Sequence, residues 1–501
     1  MTTTAHNLLT EPLLTWRRSQ STTETTTLPG LLSRLASGDC ADFPRVRAHQ
    51  FHPWCMFLTQ LAAIALRRAG ETTPQLPEEA WRVRLLALTE GQQQPWCLWV
   101  DEPQTPAFFQ APVPEGEFSK WATRDCPDEL DMLVTPKGHD VKNGLIGSDD
   151  LESWVYALVT LQTMQGYPGR GYRGIARMKG GYGNRARVGL ATSIAPAPRF
   201  GRDVAVLLDM WPTLLRQGYR DDGIGLVWTE PWDGTTSLTF SELSPHFIEA
   251  CCRLRCTSGP HGLACAYTTT KVQHCVSDRT NGDIGDPWLP IERDKGALTV
   301  GEKGFHYKLL ARLLFDGDFV PAAAQKLRPD DADPMLLQLW ALARGQGKTE
   351  GLHERALALS GPTRRLLGQP DGRATLGRRA SLAVDRAATM RSKVLYPALK
   401  QVALGGEVGP DRFDVRVDEV FFDTLFASVQ DDDKEARLRW DGTLHDMAWQ
   451  ELQVAIDRCS VPIARRYRAI SDAEGMFRGC LRKQFPDFVR HVDSRHRGTD
   501  A

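Results

Sequence analysis

The sequence predicts an α+β protein with a large, mixed and irregular N-terminal domain, residues 1–372, followed by a C-terminal four-helix bundle, residues 376–496. Three observations predict this class. Proline and glycine interrupt residues 101–147, short alternating stretches favour strands, and apolar residues recur at helical spacing after residue 372. The length agrees, because at about 100–200 residues per domain a chain of 501 residues allows two to four domains.

Local patterns predict individual elements of the N-terminal domain. Apolar residues at three- and four-residue spacing predict a helix that begins near Pro53 and ends before Gly70. Alternation favours strands at residues 96–100 and 204–208, and residues 325–334 have the composition of a surface loop. No repeat with a period of about 20–50 residues is visible, which argues against a solenoid or a propeller.

The C-terminal domain is predicted from amphipathic spacing and capping signals. Residues 378–403 and 417–429 carry apolar side chains at helical spacing. Thr443 is placed to cap a third helix, and Ser471 with Glu474 fits a capping box that would open a fourth. Four amphipathic helices with short connections predict a helical bundle.

Composition excludes several classes of protein. The chain is 42% hydrophobic and 25% charged, which excludes wholesale disorder, collagen and a coiled-coil rod. No apolar run approaches the roughly 20 residues of a membrane span, so no membrane partner is expected. The first residues lack the pattern of a signal peptide, so we expect a cytoplasmic protein whose 11 cysteines stay reduced.

The formal net charge is −1, but charge is unevenly distributed along the chain. Residues 151–200 hold seven Arg or Lys and one acid, and residues 351–400 hold ten against three. Residues 101–150 hold eleven acids and four bases. Two basic blocks on separate elements could line one channel for a polyanion. For the second block, an ordinary solvated helix face explains the charge equally well.

The first basic block is also rich in glycine. Residues 165–189 contain eight glycines, six Arg or Lys, three tyrosines and no carboxylate. Glycine lets backbone N–H groups approach a phosphate, arginine offers planar donors to phosphate oxygens, and tyrosine can stack on a base. This composition favours contact with nucleic acid or phosphate. The alternative is a mobile loop whose charges only keep it soluble.

Two other chemistries have partial signals. Gly347-Lys348-Thr349 resembles the end of a P-loop, but Leu342 stands where the first glycine belongs. A nucleotide hydrolase is therefore one alternative. The Cys and His residues between Cys251 and Cys275 suggest a zinc-stabilised RNA-binding module, although a Cys-x-x-Cys knuckle is missing. No catalytic grouping stands out, so we expect neither an enzyme nor a cofactor or metal site.

Several segments resemble the CasA family, the large subunit of the type I-E CRISPR surveillance complex, Cascade. Residues 6–14 are similar to the family's NLL-x-EPW start, with Leu13 in place of tryptophan. Residues 129–143, ELDMLVTPKGHDVKN, resemble the loop that touches the 5′ handle of the guide. Residues 166–174 match the position of the family's glycine-rich loop, and residues 284–300 and 343–355 also resemble family segments. The resemblance therefore spans nearly the whole chain.

The resemblance implies a non-catalytic subunit that recognises the protospacer-adjacent motif (PAM) of double-stranded DNA from the minor groove. Its implied partners are crRNA, the subunits CasB, CasC, CasD and CasE, target DNA and the type I helicase–nuclease. The implied DNA-binding residues form a glycine loop, a lysine finger and a glutamine wedge: Gly169, Arg170, Gly171, Lys271, Gly345, Gln346, Gly347 and Lys348. At the wedge, this chain has Gly-Gln-Gly where the better-known pattern is Asn-Gln-Ala.

The basic blocks and the handle loop supply two further sets of candidate residues. Residues expected to contact separated strands are Arg173, Arg177, Lys179, Arg378, Arg379, Arg386, Arg391 and Lys393. Residues expected to contact the guide handle are Thr135, Lys137, His139, Lys142 and Asn143. Strand separation would cost a few kcal/mol of unstacking, which added contacts must offset. Guide base pairing would then supply the sequence specificity.

Overall fold

The protein is described by a computed structural model. The structure describes residues 6–18, 22–133, 147–167, 171, 173–180, 183–259, 262–276, 280–345, 348–402, 411–459 and 462–499. The chain divides into an N-terminal unit, Met1–Phe305 with Phe319–Ala358, and a C-terminal unit, His306–Asp318 with Leu359–Ala501. Among the described residues, each helix is either too short or too polar to cross a membrane.

Among its described residues, the N-terminal unit mixes five α-helices with mostly short strands and two long ones, β12 and β13. Its helices are α1 Leu28–Ala36, α2 Ala48–Ala69, α3 Glu78–Ala87, α4 Leu151–Met164 and α5 Pro196–Arg216. Its strands up to residue 268 are β1 Leu14–Arg17, β2 Thr23–Thr26, β3 Ala122–Arg124, β4 Arg187–Ala191, β5 Ile224–Leu226, β6 Leu243–Ile248, β7 Arg253–Gly259 and β8 Gly262–Thr268. The later strands are β9 Ile291–Glu292, β10 Gly296–Ala297, β11 Phe319–Val320, β12 Met335–Gly345 and β13 Lys348–Leu359.

The strands form small separate sheets. In one sheet β12 lies between β13 and β4, and Trp340 of β12 pairs with Arg187 of β4. In another, β8 lies between β3 and β7 with all neighbours antiparallel. The predicted loop at residues 325–334 is confirmed, because it connects a short 3₁₀ turn to β12. Neither sheet is large enough to organise the unit alone, and the core is shared between helices and the strands and loops packed against them.

The core of the N-terminal unit forms around α2 and α4, which are buried along most of their length. Aromatic rings fill the space between them and the following loops; the rings of Phe109 and Trp228 stack with centroids 4.5 Å apart. The predicted helix beginning near Pro53 is confirmed but starts earlier, at Ala48, and it ends at Gly70 in the left-handed conformation.

The predicted strands at residues 96–100 and 204–208 are wrong. Trp96 lies in a 3₁₀ turn, and residues 204–208 lie inside α5. Pro196 opens α5 at a position where its missing N–H costs nothing. Val204, Leu207 and Trp211 then recur at helical spacing on the buried face, and this longer period outweighs the short alternation.

The C-terminal unit is helical in its described residues. Its helices are α6 Tyr307–Phe315, α7 Gly361–Leu367, α8 Pro370–Thr389, α9 Tyr396–Val402, α10 Asp411–Ala427, α11 Asp433–Asp457, α12 Ile463–Gln484 and α13 Pro486–Thr499. A π-helical turn, Met390–Leu395, joins α8 to α9. The predicted α+β class with a helical C-terminal region is therefore confirmed.

The predicted starts of the third and fourth bundle helices are wrong. Asp432 caps α11 by accepting a hydrogen bond from the Glu435 amide at 2.8 Å. Thr443 lies inside α11, where its hydroxyl donates to the carbonyl of Arg439. Ser471 likewise lies inside α12. Both residues resemble caps only because hydroxyl residues are frequent at helix starts.

Candidate nucleic-acid interface

The glycine loop, residues 166–174, follows α4, and the structure describes its residues Gly166, Tyr167, Gly171, Arg173 and Gly174. The amide of Ile175 donates to the carbonyl of Gln165 at 2.9 Å, which closes the loop. Gly171 has φ +86° and Gly174 has φ +71°, and both values favour glycine. A Cβ at Gly171 would lie 2.7 Å from the Cβ of Thr269, so the close approach also needs glycine. Gly169 and Arg170 lie outside the described residues.

The loop is hydrogen-bonded to the segment that carries the predicted lysine finger. The carbonyl of Gly171 accepts from the Thr270 amide at 2.7 Å. The next amide, that of Lys271, donates to the carbonyl of Gly234 at 2.9 Å, and the Lys271 side chain is exposed. Gln273 donates its side-chain amide to the carbonyl of Arg173 at 3.3 Å. The structure thus brings Gly171, Arg173 and Lys271 together.

A polar cavity of about 290 Å³ opens beside this segment. Arg173 and Lys179 line it together with Tyr167, Ser237 and Gln273. The described residues of its lining include two cations and no carboxylate. A phosphate oxygen entering this cavity would meet charged and neutral donors and no opposing negative charge.

Arg177 is placed differently from the prediction. Its side chain is 3% exposed, with Nη1 2.8 Å from the Glu249 carboxylate and Nε 3.3 Å from Asp286. Burial opposes the charge of the guanidinium, but Glu249 and Asp286 outweigh burial, so the pKa of Arg177 is raised. The prediction that Arg177 contacts a nucleic-acid strand is therefore corrected, because a group buried at this position offers no surface to a strand.

The predicted wedge falls between the end of β12 and the beginning of β13. Gly345 ends β12, and Lys348 begins β13. Gln346 and Gly347 lie outside the described residues, as does the side chain of Lys348. The hairpin next to the turn is held firmly, because Arg344 Nη1 and Thr349 Oγ1 both donate to the carbonyl of Met132, the latter at 2.8 Å.

Met132 belongs to the segment predicted to touch the guide handle, and that segment is anchored by a charged cluster. Asp131 Oδ2 lies 2.7 Å from Arg47 Nη1, and Asp131 Oδ1 lies 2.7 Å from His49 Nε2. Burial raises the pKa of this carboxyl, but His49, Arg47 and the Leu133 amide lower it more, so the pKa of Asp131 is lowered. The predicted handle contacts themselves lie outside the described residues: Thr135, Lys137, His139, Lys142 and Asn143.

Sequence reasoning missed Asp131, Met132 and Arg344 as positioning residues. Asp131 and Arg47 are 84 positions apart, and Arg344 and Met132 are 212 apart. Nothing in a single sequence links such distant positions. For Asp131 and Met132 the only local signal was the acidic character of residues 101–150, and Arg344 lies outside that block.

Within the C-terminal unit, three of the five predicted strand contacts form ion pairs. Arg379 lies 2.8 Å from Asp433, Arg391 lies 3.2 Å from Asp414, and Arg386 forms two short contacts with the buried carboxylate of Asp441. The other two predicted contacts, Arg378 and Lys393, are exposed. Three of these basic residues therefore form ion pairs with α10 and α11 inside the unit, and Arg378 and Lys393 remain exposed for an external contact.

The nucleotide-hydrolase alternative does not fit the structure. A P-loop runs from a strand through a glycine turn into a helix, whose N-terminus receives the phosphates. Here Thr349 lies in strand β13, and its hydroxyl donates a hydrogen bond to the main-chain carbonyl of Met132. Leu342, where the first glycine would stand, is 2% exposed within β12.

The zinc alternative needs several ligands around one point. Cys251, Cys252 and Cys275 are buried, and the ring of His274 stacks on Trp232 with centroids 4.0 Å apart. His274 Nδ1 bonds the carbonyl of Ala250. Across the described ranges, no group of three or more His, Cys, Asp or Glu residues is arranged to hold a metal ion.

Comparison with protein-family models and with curated proteins found no match. Solved structures match over nearly the full length. CasA (Cse1) of Thermus thermophilus has a TM-score of 0.63 at 13% identity, covering 95% of this chain and 99% of that one. The CRISPR-associated protein Cse1 of Acidimicrobium ferrooxidans has a TM-score of 0.65 at 15% identity, covering 96% and 98%. A chain of a CRISPR RNA-guided surveillance complex has a TM-score of 0.52 at 15% identity, covering 95% and 99%. This chain therefore has the CasA (Cse1) fold that its sequence resemblance implied.

Proposed function

We propose that this chain is the non-catalytic large subunit of a crRNA-guided surveillance complex and recognises a protospacer-adjacent motif in double-stranded DNA. The observation that carries the proposal is the contact between Gly171 and the segment 269–273. This contact presents Lys271 beside the glycine loop and beside the polar cavity. The described lining residues of that cavity include two cationic side chains, Arg173 and Lys179, and no carboxylate. Fold similarity along nearly the whole chain, including a chain of an RNA-guided complex, supports the same assignment.

In this proposal each group has a physical role. Arg173 and Lys179 hold phosphates and so fix register without reading sequence. Lys271 and Gln346 enter the minor groove, where the pattern is degenerate apart from the guanine amino group. The hairpin turn at Gly345–Lys348 starts strand separation, and pairing with the guide then extends it. The chain acts beside CasB, CasC, CasD, CasE and crRNA, and it helps to recruit the helicase–nuclease.

The proposal is tested by duplex binding in the reconstituted guide complex. Lys271→Ala and Gln346→Ala are expected to weaken binding of motif-bearing duplex by at least tenfold and to leave guide assembly intact. Lys326→Ala, a loss of the same charge at an exposed position of the same unit, is the control. Equal affinity of all variants for motif-bearing and motif-less duplexes would overturn the residue assignments.

A base-analogue experiment tests the groove. Replacing a guanine of the motif by inosine removes the amino group in the minor groove, whereas 7-deazaguanine alters only the major groove. We expect inosine to change affinity and 7-deazaguanine to leave it unchanged. The reverse result would show recognition from the major groove and contradict the proposal.

A further inference from the structure

The C-terminal unit contains a cavity of about 200 Å³, and its lining includes three of the residues expected to contact separated strands, Arg378, Arg379 and Arg386. It opens between α8, α10 and α11, and Phe421, Leu425 and Trp440 form its apolar floor. Leu382 stands at its edge and is 43% exposed, which is high for a leucine on a packed helix. A cavity of roughly 150 Å³ lined by apolar groups is large enough to hold a benzene ring, so this one can accept an aromatic or branched aliphatic side chain.

The wall of this cavity is strongly basic. It carries Arg378, Arg379, Arg386 and Arg437 against one carboxylate, Asp433, which pairs with Arg379. Asp441 neutralises Arg386 from outside the lining. Asp487 likewise pairs with Arg437 at 2.9 Å from outside the lining, so four arginines face three carboxylates and one excess positive charge, that of Arg378, remains.

Arg378 and Arg437 have donors to offer to a ligand. Arg378 donates to the neutral hydroxyl of Thr375 at 3.0 Å. Arg437 donates one N–H to Asp487 at 2.9 Å, while its Nε is buried without a hydrogen-bond partner among the described residues. A buried donor without an acceptor is costly, and a ligand carboxylate at the cavity mouth would relieve that cost.

The floor distinguishes between classes of ligand. Trp440 Nε1 already donates to the carbonyl of Ala383, and Ser428 Oγ donates to the carbonyl of Leu425. A nucleobase entering the cavity would bury its polar edges against hydrocarbon at the floor. The floor donors Trp440 Nε1 and Ser428 Oγ already donate to carbonyls of the chain, so this burial would be unfavourable. An apolar side chain carries no such cost. The observations therefore favour a protein ligand over a nucleic acid.

We propose that this cavity binds a short segment of a protein partner in which an aromatic or branched aliphatic residue is flanked by carboxylates. The apolar side chain fills the floor, and the flanking carboxylates bind Arg378 and Arg437. Such a pairing of one buried anchor with a charged rim is the usual form of an interface hot spot. The inference rests on the C-terminal unit alone and does not depend on recognition of a DNA motif.

The test uses the full-length chain and a fluorescent nonapeptide that has a central phenylalanine between pairs of aspartates. Fluorescence anisotropy is compared with three controls: the same peptide with a central alanine, the peptide with asparagines in place of aspartates, and a single-stranded DNA oligonucleotide. The proposal expects the acidic phenylalanine peptide to bind at least tenfold tighter than each control, and its affinity to fall as salt rises. Equal binding of the alanine peptide, or preferential binding of the DNA, would overturn it.

Variants that place a negative charge at the cavity edge then locate the bound peptide. Arg378→Glu and Leu382→Glu alter exposed positions at the cavity edge, so both are expected to fold normally and to weaken peptide binding at least fivefold. Arg468→Glu is the control, because Arg468 is in the same unit and its side chain is 89% exposed. Thermal melting verifies the fold of each variant. If Arg468→Glu weakened binding as much as Arg378→Glu, a general charge effect would replace the proposed pocket.

Discussion

The main-chain carbonyl of Gly171 accepts a hydrogen bond from the amide of Thr270 at a distance of 2.7 Å. This bond joins the glycine loop to the residue that immediately precedes Lys271. The glycine loop and the segment 269–273, about 100 positions apart in sequence, therefore lie side by side. The backbone of Lys271 is held by its hydrogen bond to Gly234, and its side chain is exposed. Under the proposed function, the loop would position Lys271 in addition to any direct contact with DNA.

The first prediction concerns Gly171→Ala. A non-glycine residue at φ +86° costs about 1–2 kcal/mol, and its Cβ would press against Thr269, so the segment that carries Lys271 must shift. We expect lower stability in urea unfolding and weaker binding of motif-bearing duplex, with guide assembly retained. The matched control is Gly301→Ala, where an added Cβ meets nothing within 4 Å and which lies outside the lining of the polar cavity. Equal behaviour of the two variants would show that the close approach at Gly171 is not needed.

The second prediction separates two arginines that the sequence places in one group. Arg177→Met leaves the buried Glu249 without the cation that pairs with it at 2.8 Å, whereas Asp286 keeps Arg185 at 2.7 Å, so the free energy of unfolding should fall by about 3–5 kcal/mol. Arg173→Ala should leave stability within about 0.5 kcal/mol, because its side chain is exposed, and should weaken duplex binding instead. Urea unfolding and duplex titration of both variants measure the two effects. Normal stability of Arg177→Met would contradict the buried ion pairs.

The third prediction concerns the anchor between the hairpin and the handle segment. Arg344→Ala removes a charged donor from the carbonyl of Met132 and should cost about 1.5–3 kcal/mol. Because residues 129–143 are proposed to touch the guide, assembly with crRNA should weaken as well. Arg355→Ala is the control, since Arg355 lies on the neighbouring strand β13 and donates to the carbonyl of Phe305 instead. Co-purification of crRNA with each variant provides the measurement, and equal recovery would remove the proposed coupling.

The fourth prediction concerns pH. Burial lowers the pKa of His246 and of His274 to about 4, each partly opposed by a backbone hydrogen bond. The unfolded chain binds protons on these rings near pH 6.5, so between pH 6.5 and 4 the unfolded state holds more protons. Stability is therefore complete above pH 6.5 and falls with pH, on the order of 3 kcal/mol per histidine across that window.

The pH prediction is checked by urea unfolding at pH 7 and pH 5 for the natural chain and for His274→Asn. Asparagine can replace the donor to Ala250 but does not titrate. The variant should start less stable at pH 7, because the ring that stacks on Trp232 is lost, and should lose less stability on acidification. An unchanged dependence on pH would show that His274 does not contribute to it.

The sequence predicted those elements whose signal is local and long. The helix that crosses the predicted span 378–403 was found because Ala387, Met390 and Val394 recur at helical spacing, and all three are completely buried. The starts of α11 and α12 were predicted too late, because a local capping signal was read inside a longer helical pattern. Thr443 has the chemistry of a cap, yet Asp432 takes that role eleven positions earlier because it precedes an uninterrupted helical run.

The candidate site was predictable in part. Glycine with φ above zero at Gly171 and Gly174 follows from a glycine-rich loop, and the fold that the sequence resemblance implied is confirmed by solved structures. The burial of Arg177 was not predictable, because its partners Glu249 and Asp286 lie 72 and 109 positions away. The cavity between α8 and α11 was also invisible, since it is formed by helices that meet only in the folded unit.

The most direct test asks whether the glycine-loop surface and the hairpin turn contact one stretch of duplex. A photoreactive phenylalanine analogue is placed at Lys271 or at Gln346 in the guide complex, and cross-linked bases are mapped on a motif-bearing duplex. The account predicts that both positions cross-link to the motif within one helical turn, about 10 base pairs, and that motif-less duplex gives neither product. Cross-links separated by more than one turn, or equal cross-linking of motif-less duplex, would contradict it.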